Sequence, residues 1–307
     1  MLRCIILSYK LLQSFIYLLL LFGSSIFAQS IPAGLDSLIV TGKEQMYNLH
    51  FEQAEKTFVE AQSEFPDYPH GYVYQAYIAA IVYSMDRKDD SLEQILNRHI
   101  EQASEVAEDY KDRMEETADS HFYLGLLRGI KALAHATNRS YIKAYWDGRK
   151  AKSDLEKTVD LNPEYYDAYL GLGLFQYYVA LLPGVLKFFA KLLGFEGDRY
   201  KAMQQIELSA EEGQYFRVEA EFLTHSTRYF LEGDTTTTIP ALKKMYEEYP
   251  ENQAIGLLLA YHYRRYGFIQ KCIDYCKSFT DEHGRILPLI TNLKYYNLAV
   301  SYYDLNQ

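Results

Sequence analysis

Ala151, Leu155, Thr158 and Pro163 follow one another at steps of four, three and five residues, and Tyr169, Leu172 and Gly173 come directly after them. Steps of three and four keep side chains on one face of a helix. On that face a small residue lets a neighbouring helix approach and the next, bulky one fills the seam. Pro163 cannot continue the helix, so a second one must start beyond it. The order recurs near the start of the chain, where Phe51, Ala54, Phe58 and Ala61 are closed by Pro66. After Gln29 no stretch sustains the alternation of a strand. Repeated helical hairpins are therefore the layout these spacings dictate.

The remaining pattern fits that layout. The first pair is expected from about Ile31 to Phe65 and the next helix from about Tyr72 to Tyr83. Ser91, with Gln94 three residues on, is the expected N-cap of a long charged helix reaching about Thr117. The phrase Tyr123-Leu-Gly-Leu126 returns as Tyr169-Leu-Gly-Leu172, 46 residues later. Helices are expected from there to about His135, from Ser140 to Leu161 and from Asp167 to Val179. After Leu181-Leu-Pro-Gly184 comes a short extra helix, about Val185 to Phe195. Further helices are expected over Asp198–Ala210, Phe216–Leu231, Pro240–Tyr249, Asn252–Tyr266, Phe268–Phe279 and Leu287–Leu305. With 49% apolar residues, the chain supports a substantial core. Its 30 Tyr and 16 Phe, scattered through every helix, suit the seams.

This order of small, bulky and breaker residues resembles the tetratricopeptide-repeat (TPR) family. The resemblance implies an all-α fold, a right-handed superhelix of antiparallel helix pairs (a TPR-like α-solenoid), that binds other chains on its concave face. First helices line that face, so Asp167, Tyr177 and Tyr178 are the candidate partner-binding residues.

The N-terminus reads differently. Arg3 and Lys10 precede the apolar run Phe15–Phe22; Gly23-Ser24-Ser25 and Ile26-Phe27-Ala28 then offer a cleavage site before Gln29. That is the order of a secretory signal peptide over residues 1–28, leaving one domain at 29–307. It implies export to the periplasm or cell envelope, and the ending Phe27-Ala28-Gln29 resembles signals of Bacteroidetes-type bacteria. An uncleaved anchor is the alternative, because Leu11–Ala28 carries no charge. Cys4 lies too early for a lipoprotein anchor.

Little in the chain points to chemistry. There is no phosphate-binding Gly-rich loop, no His-Glu-x-x-His pair and no G-x-S-x-G elbow. The eight His are dispersed and none stands at ligand spacing with a Cys, so no catalytic residue, metal or cofactor is expected. His225 and His262 are the first positions to test if an enzyme is hidden here. Cys272 and Cys276, four apart, take the small and bulky seam positions and read as buried thiols. Glu101, Glu105, Glu108, Glu115 and Glu116 read as a solvated acidic face. The formal net charge is −10, two more negative without Arg3 and Lys10, and no long basic stretch exists, so nucleic acid is not an expected partner.

One segment stands apart. Around 184–196, Lys187 and Lys191 fall on one face while Leu186, Phe189 and Leu193 fill the rest. A short basic amphipathic helix suits either a membrane interface or a partner's groove, so Lys187, Phe189 and Lys191 are candidate docking residues. Leu181-Leu-Pro183, Leu186-Lys187 and Gly194-Phe195-Glu-Gly-Asp-Arg199 also resemble a phrase of the eukaryotic tetratricopeptide family linked to inclusion-body clearance and lipid droplets. That resemblance covers about 40 residues well and implies a non-enzymatic helical adaptor; the export signal is its departure from the family. The chain is thus expected to be an exported, non-catalytic scaffold binding a protein or peptide, with peripheral membrane association through 185–195 as the alternative.

Overall fold

A computed structural model describes residues 31–87, 89–114, 116–181, 197–232, 236–281 and 288–306. The chain divides into two compact units, 1–36 and 37–307. Of the first, only residues 31–36 are described; the second carries the site. The expected signal segment, 1–28, and the expected amphipathic helix near 184–196 lie outside the described residues.

The described residues hold thirteen α-helices and no strand. These are α1 (Ala33–Tyr47), α2 (Phe51–Glu64), α3 (His70–Met85), α4 (Asp90–Arg113), α5 (Ala118–Thr137), α6 (Tyr141–Leu161), α7 (Asp167–Leu181), α8 (Arg199–Glu212), α9 (Arg217–Glu232), α10 (Thr238–Glu248), α11 (Gln253–Arg265), α12 (Ile269–Ser278) and α13 (Pro288–Leu305). From α2 to α13 every helix packs on the next, and α3 also packs on α5, α5 on α7 and α11 on α13. First helices thus stack on first helices, as in a TPR-like array of antiparallel pairs. None of these helices is long and apolar enough to cross a membrane.

The repeated Tyr-Leu-Gly-Leu phrase has a direct cause. Leu155 of α6, buried, lies between Gly125 of α5 and Gly171 of α7. A methyl group on Gly125 would stand 2.9 Å from the leucine side chain, and one on Gly171 2.5 Å from its δ1 carbon. Both glycines serve the same leucine from opposite sides, so the phrase recurs at the separation of the two helices. Gly125 also lies against Ala151, and Gly148 against Ala132, which makes α5 and α6 antiparallel. Phe58 of α2 plays the corresponding part near the start, with Gly42 of α1 against its ring and Gly71 of α3 against its carbonyl.

Capping departs from expectation at α4. Asp89, not Ser91, is the N-cap: its carboxylate accepts from the Ser91 backbone N–H at 2.8 Å. A carboxylate there satisfies an orphan N–H and opposes the positive end of the helix dipole, an advantage a hydroxyl two residues inside lacks. Asp198 caps α8 and Asn252 caps α11 in the same way. Cys272 and Cys276 are free thiols buried on α12, with the Ser301 hydroxyl donating to Cys272 Sγ at 3.2 Å across the α12–α13 seam.

Candidate functional site

The most heavily built polar site begins at Lys43. Ile39, Gly42 and Met46 set the buried face of α1, and Lys43 falls on that face beside Gly42. The side chain is 4% exposed, and its ammonium pairs with Glu219 of α9 across 176 residues of sequence. Four rings surround it: Phe216 with its centre 4.2 Å away, Tyr47 at 4.9 Å, Tyr74 at 5.4 Å and Tyr77 at 5.5 Å. Ring faces attract a cation, and more strongly where water is excluded. Glu219 also accepts from the Tyr47 hydroxyl at 2.7 Å and the Tyr77 hydroxyl at 3.3 Å.

Asp167 holds the other side of this cluster. It opens α7, yet its carboxylate accepts from the backbone N–H groups of Gln214 at 3.3 Å, Tyr215 at 3.0 Å and Phe216 at 2.8 Å. The Phe216 N–H is one of the orphan donors at the start of α9, and those of Gln214 and Tyr215 belong to the turn that leads into it, so a side chain of α7 holds the entry to α9. The capped turn sets Phe216 against the Lys43 ammonium and begins the helix that carries Glu219.

A second carboxylate continues the network. Asp119, in the first turn of α5, accepts from the Tyr165 hydroxyl at 2.8 Å and the Tyr110 hydroxyl at 3.0 Å, with His70 Nε2 at 3.8 Å. The Tyr165 ring packs on Phe122 with centres 4.7 Å apart, and Phe122 lies 6.1 Å from Phe216. Side chains of α1, α3, α5, α7 and α9 thus meet in one aromatic belt with Asp119, Asp167 and Glu219 set into it.

The electrostatics follow from burial. Desolvation pushes the Lys43 ammonium below its ordinary value, against Glu219 and Asp167, which favour the charged form. Burial pushes Asp167 up, opposed by the three backbone N–H groups and Lys43. Tyr47, Tyr74, Tyr77, Tyr123 and Tyr165 are all pushed well above the usual phenol range, burial being the largest cause in each. No phenol in the belt is therefore moved toward acting as a base at neutral pH. The arrangement suits holding α1 against α9 rather than moving protons.

Above Lys43 the belt opens to solvent. A shallow depression is lined by Val40, Glu44 and Tyr47 of α1, by Gln214, Arg217 and Val218, and by Tyr249, with the buried Lys43 among its lining residues. Arg217 pairs with Glu248 at 2.9 Å and Glu221 at 3.5 Å. The nearby α1–α2 turn is tied to the chain ahead of α11: Asn252 Nδ2 donates to the Tyr47 carbonyl at 2.7 Å, and His50 lies 2.7 Å from Glu251.

The residues singled out from sequence fall in different places. Asp167 is buried with its carboxylate engaged as above, and Tyr177 is buried in α7. Tyr178 is 58% exposed. Lys187, Phe189 and Lys191 lie outside the described residues. His225 sits in α9 and His262 in α11; burial pushes His262 down to about 4. The belt residues Lys43, Phe216, Glu219 and Asp119 were not expected. One signal for Lys43 is present in the sequence: a cation on the apolar spacing Ile39–Lys43–Met46, where a solvated lysine would not fall.

No family model and no curated protein matches the chain. Among solved structures it is similar to the crystal structure of the yeast Tom70, at 17% identity over 83% of this chain and 64% of that one, with a TM-score of 0.29. The chain spans less than two thirds of that structure, and a likeness at this score carries no argument about function.

Proposed function

We propose that this chain is an exported, non-catalytic scaffold whose TPR-like array binds a segment of another protein or a peptide. The observation that carries the reading is the cleft between α1 and the 214–218 turn. It joins apolar walls (Val40, Val218, Tyr249) to a few fixed polar groups (Glu44, Gln214, Arg217). Recognition clefts combine apolar contact with a small number of oriented hydrogen-bonding groups in this way. Its base is held by the Lys43–Glu219 pair and the Asp167 cap, so it is largely formed before anything binds, which lowers the cost of ordering. Tyr178, exposed on α7, is a second contact. The test is binding by a double variant, Val40→Asp with Glu44→Lys, which changes the rim while leaving the buried belt intact. Loss of the partner, with retention by Tyr177→Phe, supports the reading; undiminished binding by the double variant refutes it.

A specific observation favours a second reading, peripheral membrane association. At the α5–α6 turn, Leu133, Tyr141, Ile142 and Trp146 are all more than half exposed, and Arg139, Lys143, Arg149 and Lys150 are exposed among them. Exposed aromatic and aliphatic side chains ringed by cations suit an anionic lipid surface. Flotation with anionic vesicles tests it: Ile142→Asp with Trp146→Asp must abolish binding, and vesicles that never bind the unaltered protein eliminate it.

A further inference from the structure

Two nucleophilic groups take no part in the belt. Cys272 and Cys276 stand one turn apart on the same face of α12, and neither is exposed. The Cys276 thiol donates to Cys272 Sγ, and so does the Ser301 hydroxyl of α13, at 3.2 Å. Cys272 faces Ser301 while the Phe279 carbonyl faces Lys294, so α12 and α13 run antiparallel and Asn297 falls level with Cys276. Asn297 is buried. Its Nδ2 donates to the Leu293 carbonyl at 3.0 Å, and its Oδ1 accepts from no group. A buried acceptor without a donor is costly unless something else engages its lone pairs.

The spacing decides what the pair can hold. Cβ atoms one turn apart on a helix stand about 5–6 Å from each other, whereas a disulfide needs about 3.5–4.5 Å. A direct bridge would therefore distort α12. A metal–sulfur bond of about 2.3 Å on each side spans the extra distance. Among the described residues no third His, Cys, Asp or Glu joins the two thiols, so the four-coordinate set that zinc takes is incomplete. Thiolates alone, in low number, select a soft ion. The local field suits such a ligand. Arg264 beside Cys272 and Lys294 beside Cys276 favour the thiolate forms. Both cations are more buried than the carboxylates they pair with, Asp304 and Asp281, so their charge is the less screened at the sulfurs.

We infer that Cys272 and Cys276 form a site for one soft monovalent cation, the cuprous ion, held between their two sulfurs with Asn297 Oδ1 alongside. Each sulfur gives its proton to solvent as its bond to the ion forms. One cuprous ion thus replaces two protons, no oxidation state changes, and the site gains one net negative charge, which Arg264 and Lys294 offset. The Ser301 hydroxyl keeps its bond to Cys272 Sγ and orients that ligand. Entry needs only local opening: α13, the last described helix, packs on α11 and α12, and its displacement uncovers the sulfurs at less cost than global unfolding.

Anaerobic competition for cuprous ion with the chromophoric chelator bicinchoninate reads the site directly, on protein expressed from the full chain with Cys4→Ser removing the third cysteine. One cuprous ion withdrawn per chain is expected, with a rise in Tm. Cys272→Ala and Cys276→Ala each remove a ligand and are expected to weaken binding at least about 100-fold, whereas Ser301→Ala leaves both sulfurs and costs about 10-fold. Helical circular dichroism reports that each variant is folded, and Cys276→Ser preserves the side-chain volume should the alanine variant not fold. A chelator that keeps all the copper overturns the inference. So does one equivalent retained by Cys272→Ala, or half an equivalent per chain, which means an ion shared between two chains.

Discussion

Replacing Glu219 by Leu isolates the Lys43 ammonium in the interior. In the native protein that ammonium has one carboxylate and four ring faces, and its side chain is 4% exposed. Removing one partner of a buried pair costs about 3–5 kcal/mol because the other charge is left uncompensated. The Tyr77 hydroxyl also loses its acceptor, adding about 1 kcal/mol, whereas Tyr47 keeps the Tyr215 carbonyl at 3.0 Å. A loss of about 4–6 kcal/mol is thus expected, a large part of the 5–15 kcal/mol that stabilises a typical domain. For a chain of this size it corresponds to a Tm lower by about 10 °C. Lys43→Met combined with Glu219→Leu removes both charges and should lie within about 1–2 kcal/mol of wild type, recovering about 2–4 kcal/mol of the single variant's loss. The single variant has a further signature. The folded-state pKa of Lys43 already lies below its ordinary 10.5 and falls further without Glu219. Between the folded value and 10.5 the unfolded chain binds more protons, so stability rises with pH there. Guanidinium melts of Glu219→Leu at pH 7 and pH 9.5, below the tyrosine range, should therefore show recovery relative to wild type. Additive single-variant losses, or a single variant within 1 kcal/mol of wild type, would refute the buried-pair account.

Three further outcomes are expected. Asp167→Ala leaves three N–H groups at the start of α9 without their acceptor and should cost about 2–4 kcal/mol in the denaturant midpoint; a loss below 1 kcal/mol contradicts its role as a cap. Above pH 10 the protein should unfold steeply. Tyr47, Tyr74, Tyr77, Tyr123 and Tyr165 stay protonated in the fold while their unfolded counterparts ionise near 10.0, so stability present below pH 10 is lost as pH rises. At about 1.4 kcal/mol per group per pH unit, five groups draw about 7 kcal/mol per unit. Absorbance at 295 nm and circular dichroism should change together, and tyrosinate forming smoothly with helix retained counts against it. Gly173→Ala and Gly129→Ala should have opposite signs in thermal melts. A methyl at Gly173 would stand 2.8 Å from the Ala202 carbonyl oxygen and cost about 1–3 kcal/mol, whereas Gly129 has nothing within 4 Å and gains up to about 1 kcal/mol of helix propensity.

The array is legible in sequence because its causes are local. Ala151, Leu155 and Pro163 specify a seam and a stop within one helix, and the glycines at 125 and 171 repeat because one leucine faces both. The α4 cap is Asp89 rather than the expected Ser91 because the Asp89 carboxylate accepts the Ser91 backbone N–H, which places Ser91 inside the helix's first turn. The belt is not local. Lys43 and Glu219 meet across 176 residues and Asp167 caps amides 47 to 49 residues away, so neither partner is visible from the other's surroundings. Helical periodicity marks Asp167 and Tyr177 as belonging to a particular face of α7 but says nothing of what covers that face. Here the 214–216 turn reaches back to Asp167 and engages its carboxylate.

The claim that a partner enters over Lys43 is tested most directly by a photo-crosslinking side chain placed at Val40, exposed on the rim, beside the same group at Val59, exposed on α2. A discrete protein adduct from position 40, missing from position 59 and reduced by Glu44→Lys, is the expected result. No adduct at position 40, or the same adducts from both positions, would contradict the account.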